Sequence, residues 1–224
     1  MKKLFFALFA AGLLLNFSCQ APGRNKAADP GESMELIVEP GECWQGKMKV
    51  AFFSVKKTPQ MAAWIEDEGG RYIATITVTN RSAKKKWRSS PKDGRPEALP
   101  VWSNKHQNNS PPGDIDTVST ATPKGQVEAK IERGLLVNGN TYNVYLEINH
   151  SYDYNDYWTE GNSGVNGQPS LIYHTRFTAG ESLRLPLVPV GHGSVDGSNG
   201  EITNALESLT SALNIVKSVY ISTF

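Results

Sequence analysis

The densest chemistry in the chain lies at 152–158, where Tyr152-Asp153-Tyr154-Asn155-Asp156-Tyr157-Trp158 sets two carboxylates among four aromatic rings. Rings stack on sugars, peptides or planar cofactors, and carboxylates fix hydroxyl and amide groups. Tyr152, Asp153, Tyr154, Asp156 and Trp158 are therefore the candidate ligand-binding residues. The plainer reading is a strand-end loop that covers the core and leaves the polar ends of Tyr and Trp wet. The adjoining stretch Asn162 to Pro169 supplies turn residues and no catalytic group. A second oxygen-rich stretch, Asp196-Gly197-Ser198-Asn199-Gly200-Glu201, lacks the regular Asp spacing and distant Glu of a calcium loop. It reads as a turn that caps a following helix. His106, His150, His174 and His192 fall on separate expected elements without metal-ligand spacing, and no Gly-x-Ser-x-Gly elbow frames a nucleophile. No metal site and no catalytic set are expected. Cys43 reads equally as a small buried hydrophobe or as a thiolate. Lys84 to Lys86, with Arg81 and Arg88 beside Trp87, read as a solvated loop, with attraction to anionic surfaces as the lesser reading.

The elements that must position these groups are strands. Gln60–Asp67 and Arg71–Thr79 flank Glu68-Gly69-Gly70, a hairpin signal. In the second of these, Tyr72, Ala74, Ile76 and Val78 are expected to share one face. Val127, Ala129 and Ile131 alternate with Glu128, Lys130 and Glu132. In Thr141–Asn149, Tyr142, Val144, Leu146 and Ile148 point inward while Asn143, Glu147 and Asn149 point outward. Ser170–Phe177 continues the pattern, and Val50–Val55 reads as one strand apolar on both faces. Such half-buried strands between Gly and Asn turns predict an all-β antiparallel sandwich. Residues 80–114 read as a long polar excursion between strands. Ile202, Leu206, Leu209 and Leu213 fall on one face of a short C-terminal helix near 201–214, and Ser218–Thr223 returns as a strand.

The whole chain has 224 residues, with 23 Lys+Arg against 22 Asp+Glu. That balance gives no global basic footprint, so no nucleic-acid partner is expected. Two cysteines exclude a disulfide-dense scaffold or a Cys-rich metal site. Lys2 and Lys3 precede an apolar run from Leu4 to Leu15, too short to span a bilayer comfortably and therefore read as a signal peptide over 1–18. Its removal takes two of the positive charges and none of the negative, leaving a mature net charge of about −1. Leu15-Asn16-Phe17-Ser18-Cys19 resembles a bacterial lipoprotein signal of the looser kind, in which Cys19 is acylated and becomes the new N-terminus. The resemblance implies a membrane anchor at Cys19 facing the periplasm or the cell surface. Ordinary secretion with cleavage nearby is the alternative. Residues 19–33, rich in Ala, Pro, Gly and charge, read as a flexible tether, and 34–224 as one domain.

Two further resemblances bear on function. Asp116-Thr117-Val118-Ser119-Thr120-Ala121-Thr122 resembles the acceptor motif of covalent flavin carriers, in which FMN is esterified to the last Thr hydroxyl. Thr122 is then the cofactor-binding residue. Thr120 stands where those carriers have Gly, against the close backbone approach a phosphate needs. The residues alone read as a turn capped by Asp116 and Ser119 and ended by Thr122-Pro123. More widely, the chain carries an ordered set of motifs. They are Pro59–Asp67, Gly69-Gly70, Tyr72–Thr79, Leu99–Trp102, Asp116–Pro123 and Tyr142–Glu147. That order is similar to the predicted periplasmic proteins gathered as domain of unknown function 2271. The resemblance implies an exported protein with an immunoglobulin-like sandwich, associated with flavin transferases and membrane-bound redox systems. The expectation is a cell-envelope lipoprotein that acts as a non-enzymatic binding or scaffold partner of a flavin-linked electron-transfer system. A covalent FMN carrier through Thr122 is one alternative. A carbohydrate- or peptide-binding lipoprotein using the 152–158 loop is another.

Overall fold

The computed structural model describes residues 34–50, 53–85, 94–109, 119–120, 124–131, 133–182 and 184–223. The chain is mostly β. Its strands are β1 (Met34–Pro40), β2 (Gly46–Val50), β3 (Phe53–Lys57), β4 (Gln60–Asp67), β5 (Tyr72–Thr79) and β6 (Ser119–Thr120). They continue with β7 (Val127–Ile131), β8 (Thr141–Asn149), β9 (Leu171–Thr178), β10 (Arg184–Pro186), β11 (Val188–His192) and β12 (Val216–Thr223). Among the described residues three short helices interrupt them: α1 (Asn80–Ala83), α2 (Pro100–Asn109) and α3 (Glu160–Ser163). One sheet runs β10-β12-β1-β7 and is antiparallel throughout. The other runs β11-β9-β8-β4-β5, with β6 added in parallel to the outer edge of β5. Strands β2 and β3 form a separate ribbon.

The two sheets face one another across a common core. Leu36 and Val38 of β1 and Val219 and Ile221 of β12 meet Ala63 and Ile65 of β4 and Val144, Leu146 and Ile148 of β8. Alternation along β8 places that set inward as its period-2 pattern predicts, and Val127 and Ile131 of β7 do the same.

The far face of β4, β5, β8 and β9 is buried as well, against the expectation of a wet outer face. Helix α2 lies on it, and Leu99, Val101 and Trp102 pack with Ala62, Trp64, Tyr72, Val78 and Ile172. Glu147, expected to face outward, is therefore buried, and Asn149 is buried as well, its side-chain amide donating to Gln168 O at 3.0 Å. The polar excursion of 80–114 contains α1 and α2. Helix α2 carries little periodic signal, because its apolar residues crowd into the first turn and the rest is polar.

Three further expectations are corrected. Tyr72, Ala74, Ile76 and Val78 do not share a face. Irregular register along β4–β5 leaves Ile73 and Ile76 without cross-strand partners, so Tyr72 and Val78 turn to the helix while both isoleucines turn to the core between the sheets. The expected strand over 50–55 is instead the meeting of β2 and β3, with Val50 opposite Phe53. Finally, no C-terminal helix spans 201–214. Only a single 3-10 turn, Ser211–Asn214, forms, and 201–210 is irregular. Leu206, Leu209 and Leu213 still pack on the core between the sheets, whereas Ile202 joins the helix-side cluster. Ser218–Thr223 belongs to β12, between β10 and β1. Among the described residues no helix is long and apolar enough to cross a membrane.

Candidate functional site

Residues 150–170 leave the end of β8, loop outward and return to β9, so the two sheet strands fix the ends of the aromatic segment. Asp153 and Gly167 form an isolated parallel bridge across this loop, and the Gln168 amide donates to the Asp153 carbonyl at 2.8 Å. Gly167 has φ +72°, and a Cβ there would stand 2.5 Å from the Asp153 backbone nitrogen, so only glycine permits the approach.

The loop sorts its side chains by direction. Asp153 turns inward. Its carboxylate accepts from the Ser211 hydroxyl at 2.8 and 2.9 Å and from the Gln168 side-chain amide at 3.0 Å. Gln168 in turn accepts from the Thr210 backbone amide at 2.6 Å. Asn155 pins the middle of the loop: its carbonyl accepts from the Tyr157 and Trp158 amides, and its side-chain amide donates to Ser208 O at 2.9 Å. Trp158 packs against the core, and its indole N–H donates to Ser208 Oγ at 3.1 Å. Three tyrosines remain outside: Tyr152 is 39% exposed, Tyr154 37% and Tyr157 62%. Tyr154 is tied back by its hydroxyl, which donates to Gly164 O at 2.8 Å. Tyr152 and Tyr154 stand edge to face at 6.5 Å and 80°. Asp156 is exposed beside them.

Beneath the tyrosines sits a group of ionisable side chains from distant parts of the chain. Lys57, at the end of β3, donates to Ser151 O and places its ammonium 4.8 Å from the centre of the Tyr152 ring. Arg95 donates to Ser151 Oγ at 2.7 Å and pairs with Glu97 at 2.7 Å. His150 is buried. Its Nε2 lies 3.1 and 3.0 Å from the carbonyls of Cys43 and Trp44, which makes Nε2 the protonated nitrogen.

Burial pushes Lys57, His150, Asp153 and Cys43 toward their neutral forms. It pulls the Lys57 ammonium down to about 8, with Arg95 adding to the effect and Asp153 opposing it. Burial lowers His150. It raises the Asp153 carboxyl against the opposing pull of Ser211, His150 and Lys57. It also raises the Cys43 thiol, helped by the negative charges of Asp153 and Glu42. Cys43 is therefore a protonated thiol with no activation toward thiolate chemistry.

The structure thus brings Tyr152, Asp153, Tyr154, Asp156 and Trp158 into one loop but divides their roles. Asp153 and Trp158 hold the loop, and the tyrosines are presented. Lys57, Gln168 and Ser211 carry no sequence signal as site residues, and His150, one of four scattered histidines in the sequence, joins them only in the fold, because no local spacing links these four. Cys19 and Thr122 lie outside the described residues, as does most of Asp116–Pro123. Residues 196–201 form a turn in which Asp196 and Asn199 accept backbone amides, and no helix follows it. Comparison with protein-family models, with curated proteins and with solved structures finds no match.

Proposed function

We propose that this protein is an exported, lipid-anchored binding module whose tyrosine-bearing end docks on a flavin-linked electron-transfer protein of the cell envelope. In this reading the sandwich is immunoglobulin-like, Cys19 carries the lipid, and the domain performs no chemistry of its own. One observation carries the proposal. Tyr152, Tyr154 and Tyr157 are exposed together on a loop whose backbone is held by Asp153, Asn155 and Gln168. Tyrosines fixed before binding lose little entropy on contact, and such residues are enriched among those that dominate protein interfaces. The edge-to-face arrangement of Tyr152 and Tyr154 favours an irregular protein surface over a flat sugar ring, which stacks on ring faces lying in one plane. The flavin-linked partner class rests on the resemblance to the domain-of-unknown-function family.

The proposal is tested with the full precursor expressed in a bacterial envelope. Lipid-anchored protein is purified from detergent-solubilised membranes, and flavin fluorescence of co-purifying bands is measured at stoichiometric loading. A flavin-bearing membrane protein retained by the wild type supports the reading. Its repeated absence, with the lipidated protein intact, contradicts it.

A further inference from the structure

Glu147 lies toward the end of β8 and is fully buried, and among the described residues no cation pairs with it. Its two oxygens accept from the start of α2. Val101 N donates to Oε1 at 3.2 Å and Trp102 N to Oε2 at 2.7 Å. These amides precede the first intrahelical acceptors and need an outside partner. Leu99, the residue before the helix, has no side-chain oxygen to offer. Ser170 Oγ bonds Oε1 at 2.6 Å, and Ser170 O accepts from Gly193 N at 3.0 Å. A Cβ at Gly193 would stand 2.6 Å from Pro100, 2.7 Å from Ser170 Oγ and 3.2 Å from Glu147 Oε1. One carboxyl therefore joins the helix, the sheet and the 191–203 strap.

We propose that Glu147 is a latch by which pH controls the lifting of helix α2 from the aromatic face formed by Trp64, Tyr72, Val78 and Ile172. The latch works through solvation. Closed, the carboxyl is out of water, and burial raises it to about 7 despite its three hydrogen bonds. Open, it meets water and returns to its ordinary value near 4.5. The protonated carboxyl is thus favoured by the closed state, with Oε1–H donating to Ser170 Oγ and Oε2 still accepting from Trp102 N. As pH rises from about 4.5 through 7, deprotonation must be accompanied by a buried charge or by opening. Opening of α2 therefore becomes easier by about tenfold per pH unit, roughly a hundredfold over the window, and levels off above it.

Other titratable groups among the described residues flank the latch. On β4, Glu66 is paired with Lys105 of α2 at 3.0 Å. On β8 and β9, Tyr145 stacks on His174, whose ring burial lowers below its ordinary value. Ahead of α2, Arg95 pairs with Glu97. His106 on α2 lies against Tyr72 of β5, and the strap carries His192, Asp196 and Glu201.

The test is amide hydrogen exchange across pH 5–8 on the whole protein, corrected for the intrinsic rate. The expected result is that the Val101, Trp102 and Ser103 amides lose protection by roughly a hundredfold, while the β1–β12 ladder stays better protected throughout. Glu147→Gln is expected to flatten the profile. A flat profile in the wild type overturns the proposal, and so does a profile unchanged in Glu147→Gln. Merging of the α2 and β1–β12 protections likewise overturns it, since α2 would then open only with the whole fold. If Glu147→Gln does not fold, carboxyl carbon NMR of the wild type decides. Titration of Glu147 near 7 supports the latch, and titration near 4.5 overturns it.

Discussion

Gly167 sets how closely the two arms of the aromatic end approach, because its backbone conformation and its contact with Asp153 both exclude a side chain. Gly167→Ala is expected to cost about 2–4 kcal/mol of stability, read from urea unfolding, through positive-φ strain and backbone collision together. Ser211→Ala removes the principal donor to the half-buried Asp153 carboxylate and is expected to cost roughly 1–3 kcal/mol at neutral pH. The sign with pH follows from burial. The Asp153 carboxyl is raised in the folded state, so its contribution is present below the ordinary carboxylate value and is lost as pH rises through the raised one. Ser211→Ala raises it further, so the mutant deficit shrinks on acidification. Glu147 obeys the same sign over a wider window. Relative to Glu147→Gln, wild-type unfolding free energy is expected to fall by up to about 3 kcal/mol between pH 4.5 and 7.

At the scale of elements, legibility in the sequence followed local periodicity and failed where distant segments decide. Thr141–Asn149 was readable because Tyr142, Val144, Leu146 and Ile148 alternate without interruption, and the β4–β5 hairpin because Gly69-Gly70 punctuates two β-rich runs. The unpartnered Ile73 and Ile76 of β5 were hidden, since an extra residue reverses facing without changing composition. The burial of Glu147 and Asn149 was hidden for a different reason. Polar residues on alternate positions signal a wet face unless another element covers it; α2, over Glu147, carries little apolar signal of its own, and Asn149 is tied to Gln168 of the 150–170 loop. Leucine spacing near 206–213 marked true core residues but the wrong conformation, because burial needs only that each side chain reach the core. At the candidate site the rings were legible in one heptapeptide, whereas Lys57, His150, Gln168 and Ser211 come together only through the fold. The helix cover makes its own prediction. Trp102 fills the helix–sheet contact, stacks on His106 at 5.2 Å and donates to Thr75 Oγ1 at 3.0 Å. Trp102→Ala is expected to lower stability by about 3–5 kcal/mol in thermal or urea unfolding.

At the scale of the molecule, the proposed anchor, tether and sandwich form an arrangement suited to meeting a membrane partner. Two acyl chains at Cys19 would hold the domain at the envelope stably, and the 19–33 tether would let its aromatic end sample orientations. Radiolabelled fatty-acid incorporation is expected in the wild type and lost in Cys19→Ser, and a wild type that takes up no label refutes the anchor. The central claim is that the tyrosines of the 152–158 loop form the docking face. It is tested most directly by the dissociation constant between the lipid-anchored protein and its co-purified flavin-bearing partner. That constant is compared for the wild type and for Tyr152→Ala/Tyr154→Ala/Tyr157→Ala, with the fold of both checked by circular dichroism. A weakening of at least about a hundredfold in the folded triple variant is the predicted result, since a single hot-spot tyrosine costs about 2 kcal/mol or more when truncated and a hundredfold corresponds to about 2.8 kcal/mol. Equal affinity of the two proteins for the partner would contradict the account.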